Sequence, residues 1–420
     1  MPPSILAVTS HVPWPADSGG ALRTFHVLRA LAGRFAVRLV VPSTGDRDAA
    51  AREALTRAGI TPVFVRVPPR RVVSEAMKAA AAAASGQPYV LFARHRRTAV
   101  TRALAAEAAK LKPDVLYLDH LDSLVYADAA PGATVVVDMH NVYSQLARRA
   151  SAESGGALRR RYLAREGSLL ASKERLAARI AHAILAVSDD DARYFTSIGA
   201  ARVALVPNGV DCAAFETAWR RRGDSAPTLL YVGSLQWPPN AMAAAFLAKT
   251  VLPRVRRAVP GARLIIVGRR PTPEVRALAS GDDLVEVAAD VADVAPFYAR
   301  ADVLAVPLEA GGGTRLKILE AFAARVPVVS TPVGCEGIDA IDGTHLIVAD
   351  RDRFADAIVG VLRDPDAARA RTERAHQLAR DVYDWTTVGA RAVDAVSQAA
   401  GDVRRGAPAA VRFAARVSAR

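Results

Sequence analysis

Arg315 and Lys317 follow directly on Gly311, Gly312, Gly313 and Thr314, and Glu320 comes shortly after them. Residues of these types in this order could hold an anion. Glycines let the backbone turn sharply and aim unpaired N–H groups at one place. A helix opening there adds the positive end of its dipole. Cations in a helix's first turn oppose that dipole, so Arg315 and Lys317 speak for a negative ligand. Glu320, further along the same helix, is placed to reach a neutral polyol such as a ribose. A diphosphate with sugar hydroxyls beside it describes a nucleotide. A flexible strand-to-helix connection with a solvated charged face fits the same residues, and at this level both readings stand.

The elements that would position this block are legible in the apolar pattern. Residues 302–306 read as a buried strand, and Leu316, Leu319 and Phe322 or Ala323 recur at helical spacing after the glycines. The same rhythm runs through the chain. Residues 4–9 form a first strand, a loop ends in Gly19-Gly20, and helical spacing resumes at Leu22, Phe25, Leu28 and Leu31. Strands at 114–118 and 134–137 end in Asp119-His120-Leu121-Asp122-Ser123 and Asp138-Met139-His140-Asn141. Ligands of open α/β sheets gather beyond the carboxyl ends of strands. That position favours His140 as a ligand contact over a structural role; for His120 a structural role weighs more. Residues 148–181 read as one long charged helical region, and Ser188 as the cap of a helix starting near Asp189. After the turn Pro207-Asn208-Gly209 and a polar stretch at 216–227, the rhythm restarts. A strand at 228–232 ends at Gly233-Ser234, and one at 263–267 ends at Gly268-Arg269. Strand and helix in alternation predict two α/β halves with parallel, doubly wound sheets.

Composition sets the outer limits. A chain of 420 residues with 51% hydrophobic and 23% charged residues is globular and long enough for two domains. No run of about 20 uncharged apolar residues predicts a membrane span, and no basic n-region predicts a secretory signal. Cys212 and Cys335 lack metal-ligand spacing and read as free thiols of a reducing, cytoplasmic compartment. The net charge of +14 suits anionic partners: nucleic acid, acidic lipid headgroups or phosphorylated substrates. A base-composition bias of the gene would also fill a surface with arginine. No nucleic-acid-binding module is visible. Arg66, Arg70, Arg71, Lys78, Arg94, Arg96 and Arg97 flank an alanine run at 79–84 and the group Tyr89, Val90, Leu91 and Phe92. This is either an anionic membrane surface contact or an ordinary pair of helices with solvated arginines. The basic tail with Arg404, Arg405, Arg412, Arg416 and Arg420 is a second candidate for that contact.

Taken in order, several pieces resemble glycosyltransferase family 4, retaining nucleotide-sugar enzymes of the GT-B architecture. They are Gly19-Gly20, Asp138-Met139-His140-Asn141, Ala186-Val187-Ser188, Val206-Pro207-Asn208-Gly209-Val210-Asp211, Tyr231-Val232-Gly233, Ile266-Val267-Gly268, the 311–320 block, and Tyr383-Asp384-Trp385. The resemblance runs from residue 5 to about 385. It implies two facing Rossmann-like domains with a cleft between them. Residues 1–215 would form the acceptor side, 216–227 a linker, 228–385 the nucleotide-sugar side, and 386–420 a crossing helix and basic tail. It also implies donor contacts at Gly233, Ser234, Asn240, Gly268, Gly311, Gly312, Gly313, Thr314 and Glu320. Catalytic roles fall to Arg315, Lys317 and His140, and an acceptor or phosphate loop to Gly19 and Gly20. Implied partners are a nucleotide-sugar donor and a glycan or lipid-linked acceptor; the expected place is the cytoplasm, with a peripheral position on the inner face of the plasma membrane as the alternative if one of the basic segments above makes that contact. No metal and no cofactor are implied.

Two departures from that family matter. Its Glu-x7-Glu pattern places a first glutamate where this chain has Gly312, and Glu309 stands out of register by three residues. The family's Arg and Lys after the first C-terminal strand are replaced by Ser234 and by Pro239 or Asn240. The charge that would balance a donor diphosphate then falls to Arg315 and Lys317. The Asp-x-Asp triplets at 350–352 and 364–366 read as solvated turns and caps. A subset of the family with Gly-Gly-Gly-Thr-Arg-x-Lys-Ile-Leu-Glu is linked to exopolysaccharide or cell-envelope assembly. Nucleotide-sugar 2-epimerases share the implied architecture and are the nearest rival. The first glycine loop is not Gly-x-Gly-x-x-Gly, which argues against a dinucleotide oxidoreductase.

Overall fold

The computed structural model describes residues 2–45, 48–69, 72–152, 154–215, 226–310 and 315–404. Several positions singled out above lie outside these ranges: Gly311, Gly312, Gly313, Thr314, Arg70, Arg71, most of the 216–227 stretch, and the tail beyond Arg404. The chain divides into two compact units. One is Met1–Pro207 together with the chain from Val388 onward; the other is Asn208–Thr387.

The first unit holds a sheet of seven strands: β1 Ser4–Val8, β2 Ala36–Ser43, β3 Ile60–Arg66, β4 Val115–Asp119, β5 Thr134–Met139, β6 Ala183–Ala186 and β7 Val203–Leu205. Their spatial order is β3-β2-β1-β4-β5-β6-β7, and every neighbour is parallel. The continuous apolar runs account for this, since parallel strands are covered by helices on both faces. Ile5, Leu6, Ala7 and Val8 are all fully buried. The helix Gly19–Ala32 follows β1, capped by Ser18, whose hydroxyl accepts from Ala21 N at 3.4 Å.

The second unit repeats the plan with six strands: β8 Thr228–Val232, β9 Arg263–Gly268, β10 Val285–Ala289, β11 Val303–Val306, β12 Val328–Ser330 and β13 Ile347–Val348. The order is β10-β9-β8-β11-β12-β13, again all parallel. Both sheets switch direction beside their first strand, between β1 and β4 and between β8 and β11. That is where a doubly wound sheet opens a crevice for ligands.

One expected element is divided. The charged region at 148–181 is two helices, Tyr143–Ala152 and Ala157–Ile180. Gly155 and Gly156 sit between them, and glycine is the poorest interior helix former after proline. Ser188 caps the helix Asp189–Ser197 as expected, accepting from Asp191 N at 3.2 Å.

Two of the quoted motifs meet in the second unit. Val210 N donates to Tyr383 O at 2.8 Å and Trp385 N to Val210 O at 3.1 Å. A Cβ on Gly209 would stand 2.7 Å from the Trp385 ring, so only glycine fits the crossing. The helix Trp385–Arg404 then runs into the first unit, where a Cβ on Gly389 would stand 2.6 Å from Ala30 Cβ.

The tightest backbone approach joins the ends of β8 and β9. A Cβ on Gly268 would lie 1.8 Å from the carbonyl oxygen of Gly233. That oxygen cannot move without breaking the β8–β9 pairing around it. Gly268→Ala should therefore cost about 3 kcal/mol, the upper end of overpacking effects, read as a lowered urea midpoint. An unchanged midpoint would contradict the packing described.

Candidate functional site

The second unit gathers its candidate ligand groups at the carboxyl ends of β8 and β11. Lys317 and Glu320 lie on the helix Leu316–Ala323, with Arg315 immediately before it. Lys317 Nζ stands 3.3 Å from Asn240 Oδ1, 3.4 Å from the Tyr231 hydroxyl, and 4.4 Å from the centroid of the Tyr231 ring. Asn240 is fixed in turn. Its Oδ1 accepts from the Tyr231 hydroxyl at 2.7 Å, and its Nδ2 donates to Ser234 O at 3.0 Å. A Cβ on Gly233 would stand 2.9 Å from the Asn240 side chain, so Gly233 makes room for it. Gly233, Ser234, Asn240, Gly268, Arg315, Lys317 and Glu320 are thus brought into one region.

The electrostatics of this region are set by two neighbouring cations, Arg315 and Lys317. Burial and the nearby Arg315 guanidinium push Lys317 down to about 7, against the opposing pull of Glu320. Two cations held together out of water stabilise each other poorly, and a negative ligand relieves both. Arg315 is buried and donates through a terminal nitrogen to Val333 O at 3.3 Å. Glu320 is held by the Tyr298 hydroxyl, 2.7 Å from its Oε2 and 3.0 Å from Lys317 O. Burial raises the Glu320 carboxyl; the Tyr298 hydrogen bond and Lys317 oppose that. Glu309 points elsewhere. It pairs with Arg351, whose guanidinium sits 3.6 Å from the Phe246 ring centroid. The Asp-x-Asp residues are exposed, and Asp364 caps the helix Pro365–Leu378 by accepting from Ala367 N at 3.0 Å.

The first unit holds a separate cavity of about 1060 Å³ beyond the ends of β1 and β4. Its wall includes Ser10, His11, Trp14, Gly20, Thr24, His95, Asp119, His120 and His140. His140 Nε2 lies 3.1 Å from Asp119 Oδ1, and Asp119 also accepts from Thr9 at 2.7 Å and Thr24 at 2.9 Å. Although burial opposes its ionisation, those partners hold the Asp119 carboxyl below its ordinary value. A second carboxylate, Asp122, accepts from Ser10 Oγ at 2.7 Å and faces His95 Nδ1 at 3.4 Å and His120 Nδ1 at 3.5 Å. His120 sits at φ 75°, bonded to the Tyr143 hydroxyl and edge-on to His140 at 4.9 Å. Burial lowers His120, but Asp122, Asp119 and Asp138 outweigh it and raise it overall. Gly20 stands beside His140, its absent Cβ 3.6 Å from Nδ1, and Gly19 opens the helix after Ser18.

Sequence reasoning passed over Arg23. It is fully buried and grips Asp138, with Nε 2.9 Å and a terminal nitrogen 2.5 Å from Oδ1. Its other terminal nitrogen donates to Val206 O at 2.7 Å and Pro207 O at 3.2 Å. The Tyr117 hydroxyl donates to Asp138 Oδ2 at 2.7 Å. The available signal was an arginine on the same helical face as Val27. Among the described residues, Asp119, Asp138 and His140 have ligand atoms within 4.8 Å of one another, close enough to share a metal ion. Arg23, Tyr117, Thr9 and Thr24 already direct donors at both carboxylates, so the cluster is satisfied by protein groups.

Comparison with known proteins now gives the class. Residues 18–214 match the family model described as Glycosyltransferase Family 4, and residues 226–364 match Glycosyl transferases group 1. A glycogen synthase of Mycobacterium tuberculosis is 30% identical over 296 residues, covering 66% of this chain and 67% of that protein. A phosphatidyl-myo-inositol mannosyltransferase of Mycolicibacterium smegmatis is 30% identical over 223 residues, with the match spanning about half of either chain (49% and 55%). Among solved structures, Anabaena HepE in complex with UDP-glucose aligns with TM-score 0.66 at 16% identity, over 94% of this chain and 99% of that one. WaaG, a glycosyltransferase involved in lipopolysaccharide biosynthesis, aligns with TM-score 0.62 at 17% identity, over 93% and 98%. The fold is that of the GT-B glycosyltransferases. The chain belongs to glycosyltransferase family 4, and it is a glycosyltransferase.

Arg23→Ala would leave Asp138 charged and buried without its cation. The loss should be about 3–5 kcal/mol of unfolding free energy in urea, as for other broken buried pairs. A loss below about 1 kcal/mol would show that water or another group neutralises Asp138 instead.

Proposed function

We propose that this enzyme moves a sugar from a nucleotide-sugar donor to a hydroxyl of a glycan or lipid-linked acceptor, with retention and without a metal ion. The unit Asn208–Thr387 takes the donor, and the cavity of the other unit takes the acceptor. The observation that carries this reading is the pair Arg315 and Lys317, two cations seated together with Lys317 lowered to about 7. A diphosphate leaving group gains negative charge as the anomeric C–O bond breaks, so cations aimed at it stabilise the transition state more than the ground state. Glu320, held in place by Tyr298, is assigned the ribose hydroxyls. Gly311, Gly312, Gly313 and Thr314 are assigned the phosphates, and His140 the transferred sugar. Asp119 and Asp138 are engaged by protein donors, which argues against a carboxylate nucleophile and supports a front-face route. In that route a donor phosphate oxygen takes the acceptor proton. Relatives that make glycogen and phosphatidyl-inositol mannosides, and neighbours bound to UDP-glucose, fit this assignment. Assembly of exopolysaccharide or envelope glycans is the setting proposed.

Nucleotide-sugar screening by thermal shift, followed by turnover assays, tests the whole. Nucleotide release only when acceptor is present is the transferase outcome; interconversion of the sugar nucleotide without acceptor would make it an epimerase. Arg315→Ala and Lys317→Ala should each raise the barrier by about 2–4 kcal/mol, as loss of an oxyanion donor does. Near-normal turnover in both folded variants would sink the diphosphate assignment. Turnover should survive EDTA; its loss and recovery with Mg²⁺ would require a metal.

The lowered Lys317 makes a pH prediction. Its protonated form binds a diphosphate, so binding raises its pKa and takes up a proton. Nucleoside diphosphate affinity should be level below pH 7, where Lys317 is already charged, and fall by up to about tenfold per pH unit above it. Calorimetry at pH 8 in buffers of different ionisation enthalpy reads the uptake directly. No uptake would mean that Lys317 does not meet the phosphates.

A further inference from the structure

The helix Val72–Ala84 is turned inside out. Its outward residues are apolar: Val72 is 86% exposed, Val73 72% and Met77 63%, with Ala76, Ala80 and Ala84 exposed along the same stripe. Glu75 is its sheltered charge, while Lys78 keeps 42% of its side chain exposed. Glu75 accepts from the Tyr89 hydroxyl at 2.8 Å and from Lys78 at 3.4 Å. A water-facing helix ordinarily shows the reverse, so this stripe has the form of a surface meant to be covered. Of the aromatic residues for which a membrane contact was one of two readings, Phe92 is buried under Lys173 and Tyr89 donates its hydroxyl to Glu75.

What covers the stripe is indicated by its neighbour. The helix Ala157–Ile180 reaches the end of Val72–Ala84 through Arg165, which donates to Ala83 O at 3.1 Å. The first turns of that helix carry Arg159, Arg160, Arg161 and Arg165, all exposed, together with Leu158 at 88% and Tyr162 at 50% exposure. Residues 157–165 contain no acid. Arg159, Arg160 and Arg161 in the first turns oppose the helix dipole, and Arg165, 3.9 Å from Glu166, continues the row. Apolar side chains rimmed by arginine, with a tyrosine among them, match a bilayer interface bearing anionic headgroups. A second copy of a chain with net charge +14 would bring like charges together at this rim.

We infer that this face, made of the helix Val72–Ala84 and the basic start of Ala157–Ile180, docks the enzyme onto an anionic lipid surface. The inference goes beyond the transferase reading and does not depend on the donor site. Its contact is peripheral, because no helix among the described residues is long and apolar enough to cross a membrane.

Co-sedimentation of the full chain with phosphatidylcholine vesicles, with and without phosphatidylglycerol, tests it. UDP affinity measured on the same preparations serves as the control for the donor site. The protein should pellet only with phosphatidylglycerol present and be released by salt. The double substitutions V73D/M77D and R159E/R160E should each lower the partition coefficient at least about tenfold, with UDP affinity unchanged. All four positions are exposed, so folding should survive; circular dichroism checks it. The proposal is overturned if the wild-type chain stays in the supernatant, or if both variants bind vesicles as it does. A concentration-dependent dimer that V73D/M77D abolishes would assign the face to a second copy instead. Failure to bind UDP with intact vesicle binding would count against the donor site alone.

Discussion

The first unit is organised by one buried charge pair. Arg23, from the helix Gly19–Ala32, enters the sheet with no exposed surface and is matched by Asp138 at the end of β5. Taking two ions out of water is costly, and the structure offsets it with every donor in reach. Tyr117 satisfies the second carboxylate oxygen, and the carbonyls of Val206 and Pro207 take the rest of the guanidinium. Four elements distant in sequence are thereby locked at the sheet's carboxyl edge. Apolar residues in place of such a pair often leave stability unchanged, but here they would remove the directional grip that sets β5 against the helix. His140, two residues beyond Asp138, inherits its position from that grip.

The second unit meets the same need by a different route. Its Lys317 is oriented mainly by neutral groups, with the Glu320 carboxylate acting on it without a direct ion pair among the described residues. Lys317 rests on the Tyr231 ring and on Asn240, neutral partners that orient it without neutralising it. Glycine at 233 and 268 makes this possible, because the strands can then close until carbonyl and side chain meet. The contrast is physical. A fully matched ion pair fixes structure, whereas a cation whose hydrogen-bond partners are neutral retains its attraction for an incoming anion.

Much of this was legible beforehand. The strands β1, β4, β5, β8, β9 and β11 and the parallel arrangement follow from apolar runs alternating with helical spacing, and their observed ends fall close to the expected ones, whereas the two-residue β13 gave no signal. Glycines at strand ends pointed to the right regions. Residues 148–181 have the charge density of one helix, but the paired glycines at 155 and 156 divide it in two. The two readings of the arginine-flanked group Tyr89, Val90, Leu91 and Phe92 are not separable in sequence; in the structure Phe92 is buried and Tyr89 is half-buried beside Glu75. Aromatic residues beside arginines look alike whether they are stacked under a lysine or exposed.

The difference lies in the range of the forces involved. Periodicity, caps and turns are set by neighbours within a few residues, so the sequence alone determined the α/β rhythm, the strand-end loops and the family. Which polar groups meet is decided across the sheet. Thr9 reaches Asp119 over 110 positions, and Arg23 reaches Asp138 over 115. Only the tertiary structure could show that Arg23 is buried, that Lys317 lies on Tyr231, and that the helix Val72–Ala84 turns its apolar side outward. Composition reports how many charges a chain carries; burial and the nearest partner decide what each of them does.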